Sequence, residues 1–530
     1  GAQPLTIDRI AVRRVSPWIK QERAMSDQAK PDGPDLIKGV SSADVAEGQM
    51  LAGRVGDEAV LIARTGGALY AVSALCTHYQ GPLADGLIKD GVVRCPWHHA
   101  CFSLKTGEAV GAPAIDPLAC YAVEEADGRI VVKAKQETAP KQMTAPDEIK
   151  KVVIIGGGAA GFAAAEMLRR RGYSGALTML SADADAPYDR PNCSKDYLAG
   201  DAEEAWMPLR DRDFYKDNKI DLRLETEVLA FDPKAKTVTL PGAKTLSYDA
   251  LILATGAQPQ RPPIPGLEGP NVHVLRSLKD TQALIAAAKT AQTVAVIGAS
   301  FIGLEVAAAL RARNLAVHVI APEEIPFEKI FGREIGEWVR SEHAKNGVVF
   351  HLGRKVTAYK DGALTLDQGD PVKTDLVVLG VGVKPRTGLA EAAGLKVDKG
   401  VVVDERLCAA DGVYAVGDIA RYPDPVSGDL IRVEHWVHAE RQGQHVARMI
   451  LGEDAPFTDV PFFWSKHYGA AIHYDGHAEN FDTPKVDGSV ADYDALVRYE
   501  KGGQLLAVAT LNRDLASLKA EAAFEESAGR

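Results

Sequence analysis

Four side chains in one short stretch have the types and spacing to hold metal. Cys76 and His78 form a Cys-x-His pair, and after a further sixteen residues Cys95 and His98 form a Cys-x-x-His pair, all within CTHYQGPLADGLIKDGVVRCPWHHACF. Two thiolates and two imidazoles can bind tetrahedral zinc, but zinc modules usually group cysteines with cysteines and histidines with histidines. Here each loop supplies one of each. That arrangement lets Cys76 and Cys95 take one iron as thiolates while His78 and His98 take a second as neutral imidazoles, the mixed ligation of a [2Fe–2S] centre. Zinc would make a structural knot, whereas iron would make a redox terminal that needs an electron source.

Two further stretches could bind dinucleotides. In KVVIIGGGAAGFAAAEMLRRRG, Gly156, Gly158 and Gly161 allow a tight turn, close approach of a pyrophosphate to backbone N–H groups, and close helix–strand packing. The plain alternative is three glycines serving only a strand-to-helix turn. The next strand ends at LTMLSADAD, where Asp183 is the candidate for a ribose hydroxyl. In TVAVIGASFIGLEVAAALRARN the same plan recurs 142 residues later, with Gly298, Ser300 and Gly303; serine replaces the middle glycine and is still small. Its second strand ends at VHVIAPEEIPFEK, where Glu323 and Glu324 would repel a 2′-phosphate and accept a free 2′-hydroxyl, so NADH is favoured over NADPH. A solvated acidic turn is the bland reading of those glutamates.

The elements that must position these residues follow from the periodicity. Residues 35–133 carry short β-rich runs (AVLIAR, ALYAV, GVVRC, GRIVVK) separated by Gly and Asp turns, which predicts an all-β module after a tail at 1–34. Residues 134–149 have a linker composition whose extended reach is roughly 50 Å, enough to tether the module loosely. From 150 the pattern becomes strand, glycine turn, helix, twice over, and predicts two α/β dinucleotide domains: 150–270 with 388–455, and 271–387 between them. Residues 456–530 add strands, a hairpin at Gly502–Gly503 and a terminal helix, an α+β cap.

The 530 residues are too many for one core, and 46% apolar with 25% charged residues describes a globular chain. A net charge of -11 argues against nucleic acid as a partner, and no apolar run is long enough to span a membrane. Six sparse cysteines suit a reducing compartment, the cytoplasm by default. The first 24 residues lack a secretory h-region; Met25 as the start, or an organelle-targeting remnant before it, are both open readings.

With these motifs in view, the spacing and the string CPWHHACFSLKTGEAVGAP resemble the Rieske family, although His99 stands where glycine is usual. High-potential members carry an extra loop disulfide; Gly81 and Trp97 stand at those positions, so the chain is similar to the lower-potential kind. Cys101 and Cys120 are read as small buried hydrophobes. VVIIGGGAAGFAAAE, PYDRPNCSKDYL, LILATGAQP, VIGASFIGLEVA, VYAVGDIA and PFFWS resemble the flavoprotein reductases with two dinucleotide domains, in their ferredoxin-reductase branch. The combination is similar to the apoptosis-inducing-factor-like proteins with a Rieske module.

The resemblance implies FAD on the first fingerprint, touched by Gly156, Gly158, Gly161, Arg190, Lys195 and Arg276, with Gly417 and Asp418 at its ribityl and phosphate region. It places Lys195 near flavin N5, Glu305 at the nicotinamide carboxamide, Trp464 packed near the flavin ring and Trp436 in the segment facing it; plain core packing is the alternative for either tryptophan. It implies NADH-dependent electron transfer through FAD to a fused [2Fe–2S] cluster and on to an unnamed acceptor, docking at His78 and His98 as the outward side. Lone Cys193 lacks the partner of a Cys-x4-Cys pair, which removes disulfide-reductase chemistry; an NADH oxidase or peroxide reductase using Cys193, a slow redox-sensing interaction protein, and a reductase for an oxygenase stay open. A homodimer is likewise open.

Overall fold

A computed structural model describes residues 31–529, so the readings of residues 1–24 lie outside the described residues. The first unit is all-β. Six antiparallel strands run in the order Val40–Ser41, Arg129–Gln136, Cys120–Ala126, Ala68–Ser73, Glu58–Thr65, Met50–Val55. The run Val60-Leu61-Ile62-Ala63 is apolar at consecutive positions because both sheet faces are covered. Val60 and Ile62 pack with Leu36, Tyr121 and Val132, while Leu61 and Ala63 pack with Val72, Leu83 and Phe102. The second of these cores lies beneath a four-stranded sheet, Leu87–Lys89, Val92–Arg94, Cys101–Ser103, Ala109–Gly111, that carries the Cys95–His98 loop.

The strand Lys151–Ile155 is central in a sheet ordered Ile220–Arg223, Ala176–Leu180, Lys151–Ile155, Ala250–Leu253, Val413–Ala415, Cys408–Ala410, parallel except for the last strand. Its helix Ala159–Arg170 is crossed by a second helix, Trp436–Ile450. The crossing requires glycine at 443, where a Cβ would lie 2.1 Å from the Ala160 carbonyl oxygen. The inserted unit repeats the plan with five parallel strands, Val272–Val274, Leu376–Leu379, Thr293–Ile297, Ala316–Ala321, Val348–Leu352, and the helix Phe301–Ala312 after the second glycine turn. The chain ends in five antiparallel strands, Phe462–His467, Ala470–Gly476, Gln504–Leu511, Asp494–Lys501, Lys485–Ser489, with the helix Asp514–Ser527 packed on them.

Although composition allowed a loose tether, the β unit is docked. Arg170 and Arg171 both reach Glu108 at 3.0 Å, and Arg94 reaches Glu521 at 3.2 Å and Glu525 at 2.6 Å, all with little solvent exposure. The segment after Gln136 has no strand or helix of its own up to Lys151, yet it is strapped down. Thr138 donates to the Thr106 carbonyl, the Met143 amide donates to Arg171, and Arg171 donates to Lys141. Buried charges must be paired to be tolerated, so these ionic contacts fix one docked arrangement and disfavour a sliding one.

Candidate functional site

The two metal-type loops are built alike. The Cys76 amide donates to the carbonyl of Gly81 and the Gln80 amide donates back to Cys76; the Cys95 amide donates to Ala100 and the His99 amide donates back to Cys95. Each turn places its fifth residue in the left-handed region, Gln80 at φ 60° and His99 at φ 59°. The loops meet at Gly81, where a Cβ would sit 2.6 Å from the Cys95 sulfur and 3.2 Å from Trp97, so only glycine fits. None of the six cysteines is in a disulfide, and Cys101 and Cys120 are buried.

The donor set fits a mixed-ligand cluster. Cys76 and Cys95 are side by side and share a hydrogen bond, and backbone amides point at each sulfur: those of His78 and Tyr79 at Cys76, those of Trp97 and His98 at Cys95. The Cys95 thiol holds Cys76 below its ordinary pKa, whereas burial pushes Cys95 up. Burial holds His78 down at about 3 and His98 well below its usual value, so both rings are neutral, as iron ligation requires. The His78 Nδ1 is buried without a protein partner, and the two imidazoles stand with centroids 5.1 Å apart.

The expectation that both histidines face outward is overturned for His98, whereas His78 is half-exposed. His98 is only 5% exposed, and its ring lies 4.1 Å from the ring of Trp464 on the C-terminal sheet. Tyr79 stacks on His78 at 4.0 Å, and its hydroxyl donates to the half-buried carboxylate of Asp189. The cause is the docking: His98 abuts Trp464 of the reductase half, and Tyr79, stacked on His78, reaches Asp189. Lys195 lines the same cavity as His98 and Trp464, its Nζ 6.0 Å from the indole centroid and 2.9 Å from Glu305. Ser194 and Ser465 hydroxyls also donate to Glu305, at 2.7 and 3.2 Å. His98, Trp464, Lys195 and Glu305 thus line one continuous path.

The first glycine turn fits a pyrophosphate. A Cβ on Gly156 would meet the Ala254 carbonyl at 2.0 Å and one on Gly161 the Gly156 carbonyl at 2.0 Å, whereas Gly158 faces open space. Gly158 also caps its helix without a side chain, leaving the first amides free for an anion. Gly417 rests against Ala160 in the first turn of that helix. Arg276 donates to Asp418 at 2.6 Å, and Arg190 donates to the Arg276 carbonyl, so these residues form one rim. Asp183 accepts the Tyr188 hydroxyl at 3.0 Å; Ser181, which the sequence reading passed over, abuts Gly157 directly.

In the second turn Gly298 and Gly303 are again hemmed in by backbone, and the Ser300 hydroxyl caps the helix by accepting the Gly303 amide. The same hydroxyl donates to the Gly380 carbonyl at 2.7 Å. Glu323 is exposed just past the end of the strand Ala316–Ala321. Arg354, remote in sequence, bonds the Ala321 carbonyl through its amide but turns its guanidinium onto Gly353. Trp436 opens the helix Trp436–Ile450 and shares a hydrogen bond with Glu440.

Two parallel sheets with glycine-turn helices, a Lys–Glu pair between them and a Cys/His loop pair docked beside them define a pyridine-nucleotide flavoprotein with an iron–sulfur module. The chain belongs to the pyridine nucleotide-disulphide oxidoreductase family, whose description matches residues 150–443, and it carries a Rieske [2Fe-2S] domain over residues 36–122. It is 30% identical to apoptosis-inducing factor 3 of Homo sapiens over 517 residues, 93% of this chain and 85% of that one. It is 37% identical to rhodocoxin reductase of Rhodococcus erythropolis over 68% of this chain and 86% of the relative. The putidaredoxin reductase–putidaredoxin complex matches with a TM-score of 0.68 at 31% identity, over 71% of this chain and 93% of that one. The protein is therefore an FAD-dependent NAD(P)H oxidoreductase with a [2Fe–2S] domain. Among the described residues no helix is long and apolar enough to cross a membrane.

Proposed function

We propose that the chain carries electrons from NADH through FAD to its own cluster and then to an external acceptor. When bound, FAD accepts a hydride and yields electrons singly, and the cluster carries one at a time. Cys76, Cys95, His78 and His98 hold the cluster. Gly156, Gly158 and Gly161 admit the pyrophosphate, with Arg190, Arg276, Gly417 and Asp418 along the rim and Asp183 or Ser181 toward the ribose. Gly298, Ser300 and Gly303 serve the nicotinamide nucleotide. Lys195 supplies a cation beside the flavin and Glu305 orients it while accepting from the carboxamide side. Trp464 and Trp436 would lie near the ring.

The observation that carries this reading is Trp464, whose ring centroid lies 4.1 Å from that of His98 and 6.0 Å from the Lys195 Nζ. Putidaredoxin reductase, a relative in fold, is known in covalent complex with putidaredoxin; here the β module is docked on its own chain. Exposed Glu323 favours a free ribose hydroxyl, hence NADH. The acceptor then approaches from the half-exposed edge of Tyr79 and His78, because His98 is covered. Cys193 is buried and its thiol is pushed up to about 11 by burial, the opposite of what a peroxidatic thiolate needs.

Anaerobic titration with NADH, followed by absorption and electron paramagnetic resonance, tests the path. Flavin bleaching followed by a rhombic cluster signal is expected. Purified protein carrying zinc and no iron, or a cluster that stays oxidised beside reduced flavin, would sink it.

A further inference from the structure

His99 occupies a position its chemistry does not favour. It sits at φ 59°, a left-handed conformation that glycine adopts freely and other residues uncommonly, histidine more readily than most, whereas the matching turn uses the exposed Gln80. Such strain persists only where surrounding contacts over-determine it.

The His99 backbone is held in part within the loop, the amide donating to Cys95 and the carbonyl accepting the Cys101 thiol, but the contacts of its side chain belong to the other half of the chain. The His99 ring is fully buried and stacked 3.8 Å from Phe462. Its Nδ1 lies 3.0 Å from a Glu521 oxygen and 3.5 Å from Asp475, its Nε2 lies 3.3 Å from the Ser517 hydroxyl, and its carbonyl accepts Arg441 at 2.9 Å. Glu521 accepts from Arg441 at 2.6 Å and from Arg94 of the β module at 3.2 Å. One side chain of the cluster loop is thus inserted into a buried acid, hydroxyl and arginine socket formed by the helices Trp436–Ile450 and Asp514–Ser527 and the sheet between them.

We propose that His99 is a positioning residue, a key that sets the cluster loop against the C-terminal unit so that His98, its immediate neighbour, meets Trp464. This rests on the electron path proposed above. A glycine there would relax the turn but leave the socket empty. The key therefore trades local backbone comfort for fixed register between donor and acceptor.

The test uses the full chain loaded with FAD and cluster, mixed anaerobically with NADH in a stopped-flow instrument. His99→Gly is expected to keep cofactor content, the cluster resonance spectrum and the NADH-to-ferricyanide rate, while the flavin-to-cluster step slows by up to about 100-fold, the scale of a reacting pair misplaced by about 1 Å. His99→Asn tolerates the left-handed turn and can still donate to Glu521, so it should recover part of the rate. Glu521→Gln, which leaves the turn untouched, should slow the same step. Native-rate cluster reduction in His99→Gly overturns the proposal. If native protein bleaches its flavin and never reduces its cluster, the electron path fails instead. The key is then judged by hydrogen exchange: faster exchange at 514–527 in His99→Gly supports it, and unchanged exchange overturns it.

Discussion

Trp464 and His98 stand with ring centroids 4.1 Å apart at 52°, so an aromatic of the C-terminal sheet touches a candidate cluster ligand of the N-terminal module. If this contact passes electrons, Trp464→Ala should slow cluster reduction by about 10- to 100-fold, the scale of a misplaced reacting pair, with a smaller loss for Trp464→Phe. Stopped-flow absorption separates that step from flavin bleaching, and equal rates in all three proteins would remove Trp464 from the path.

The Lys195–Glu305 pair predicts a split between activity and stability. Lys195→Met should lower NADH-to-dye turnover by about 10²- to 10³-fold through loss of a preorganised charge. It should also destabilise the protein, by up to about 3–5 kcal/mol, because the buried carboxylate loses its cation and keeps only the Ser194 and Ser465 hydroxyls. Adding Glu305→Gln should recover much of the melting temperature and none of the rate. Joint recovery of both would show that the pair only maintains the fold.

Cys193 should be chemically quiet. With its thiol pushed up to about 11 by burial and resting near Thr281, it is protonated at neutral pH. Alkylation by iodoacetamide, followed by mass spectrometry, should be negligible at neutral pH and rise only in strong alkali. Cys193→Ser should leave NADH oxidation by dye unchanged. Rapid labelling at neutral pH would revive the peroxide chemistry.

Asp514, in the first turn of the terminal helix, gives a pH dependence. Burial and nearby Asp85 raise its pKa from 3.8 to about 6. A carboxyl with a raised folded-state pKa stabilises the fold in acid, and that contribution is lost as pH rises from 3.8 to about 6. Asp514→Asn should therefore match the native melting temperature below that window and exceed it above, by calorimetry. A difference that shrinks as pH rises would contradict the burial.

The architecture was legible because its signals are local. The Cys/His spacing, both glycine turns and the paired strand-helix plans are read directly from neighbouring residues. The site was only half legible, since Lys195, Glu305, Trp464 and His98 are drawn together from four separate units, and nothing in their spacing says that His98 faces inward. Asp189 and Ser465 were missed although they stand inside motifs that had been noticed, PYDRPNCSKDYL and PFFWS. The His99 socket left one trace, a histidine where glycine is usual, and its partners lie more than 340 residues downstream. The linker was misjudged because composition reports stiffness and not what the chain is tied to.

That strapped linker has a further consequence. A segment long enough to reach an adjacent molecule invites exchange of the β module between two copies of the chain. Here Thr138, Lys141 and Met143 use up the slack by bonding along the surface toward Arg171. Swapping would require stripping those bonds together with the Arg94 and Glu108 ion pairs. In this structure each of those contacts is made within one chain, so the module's docked position is set by its own linker and its own reductase half.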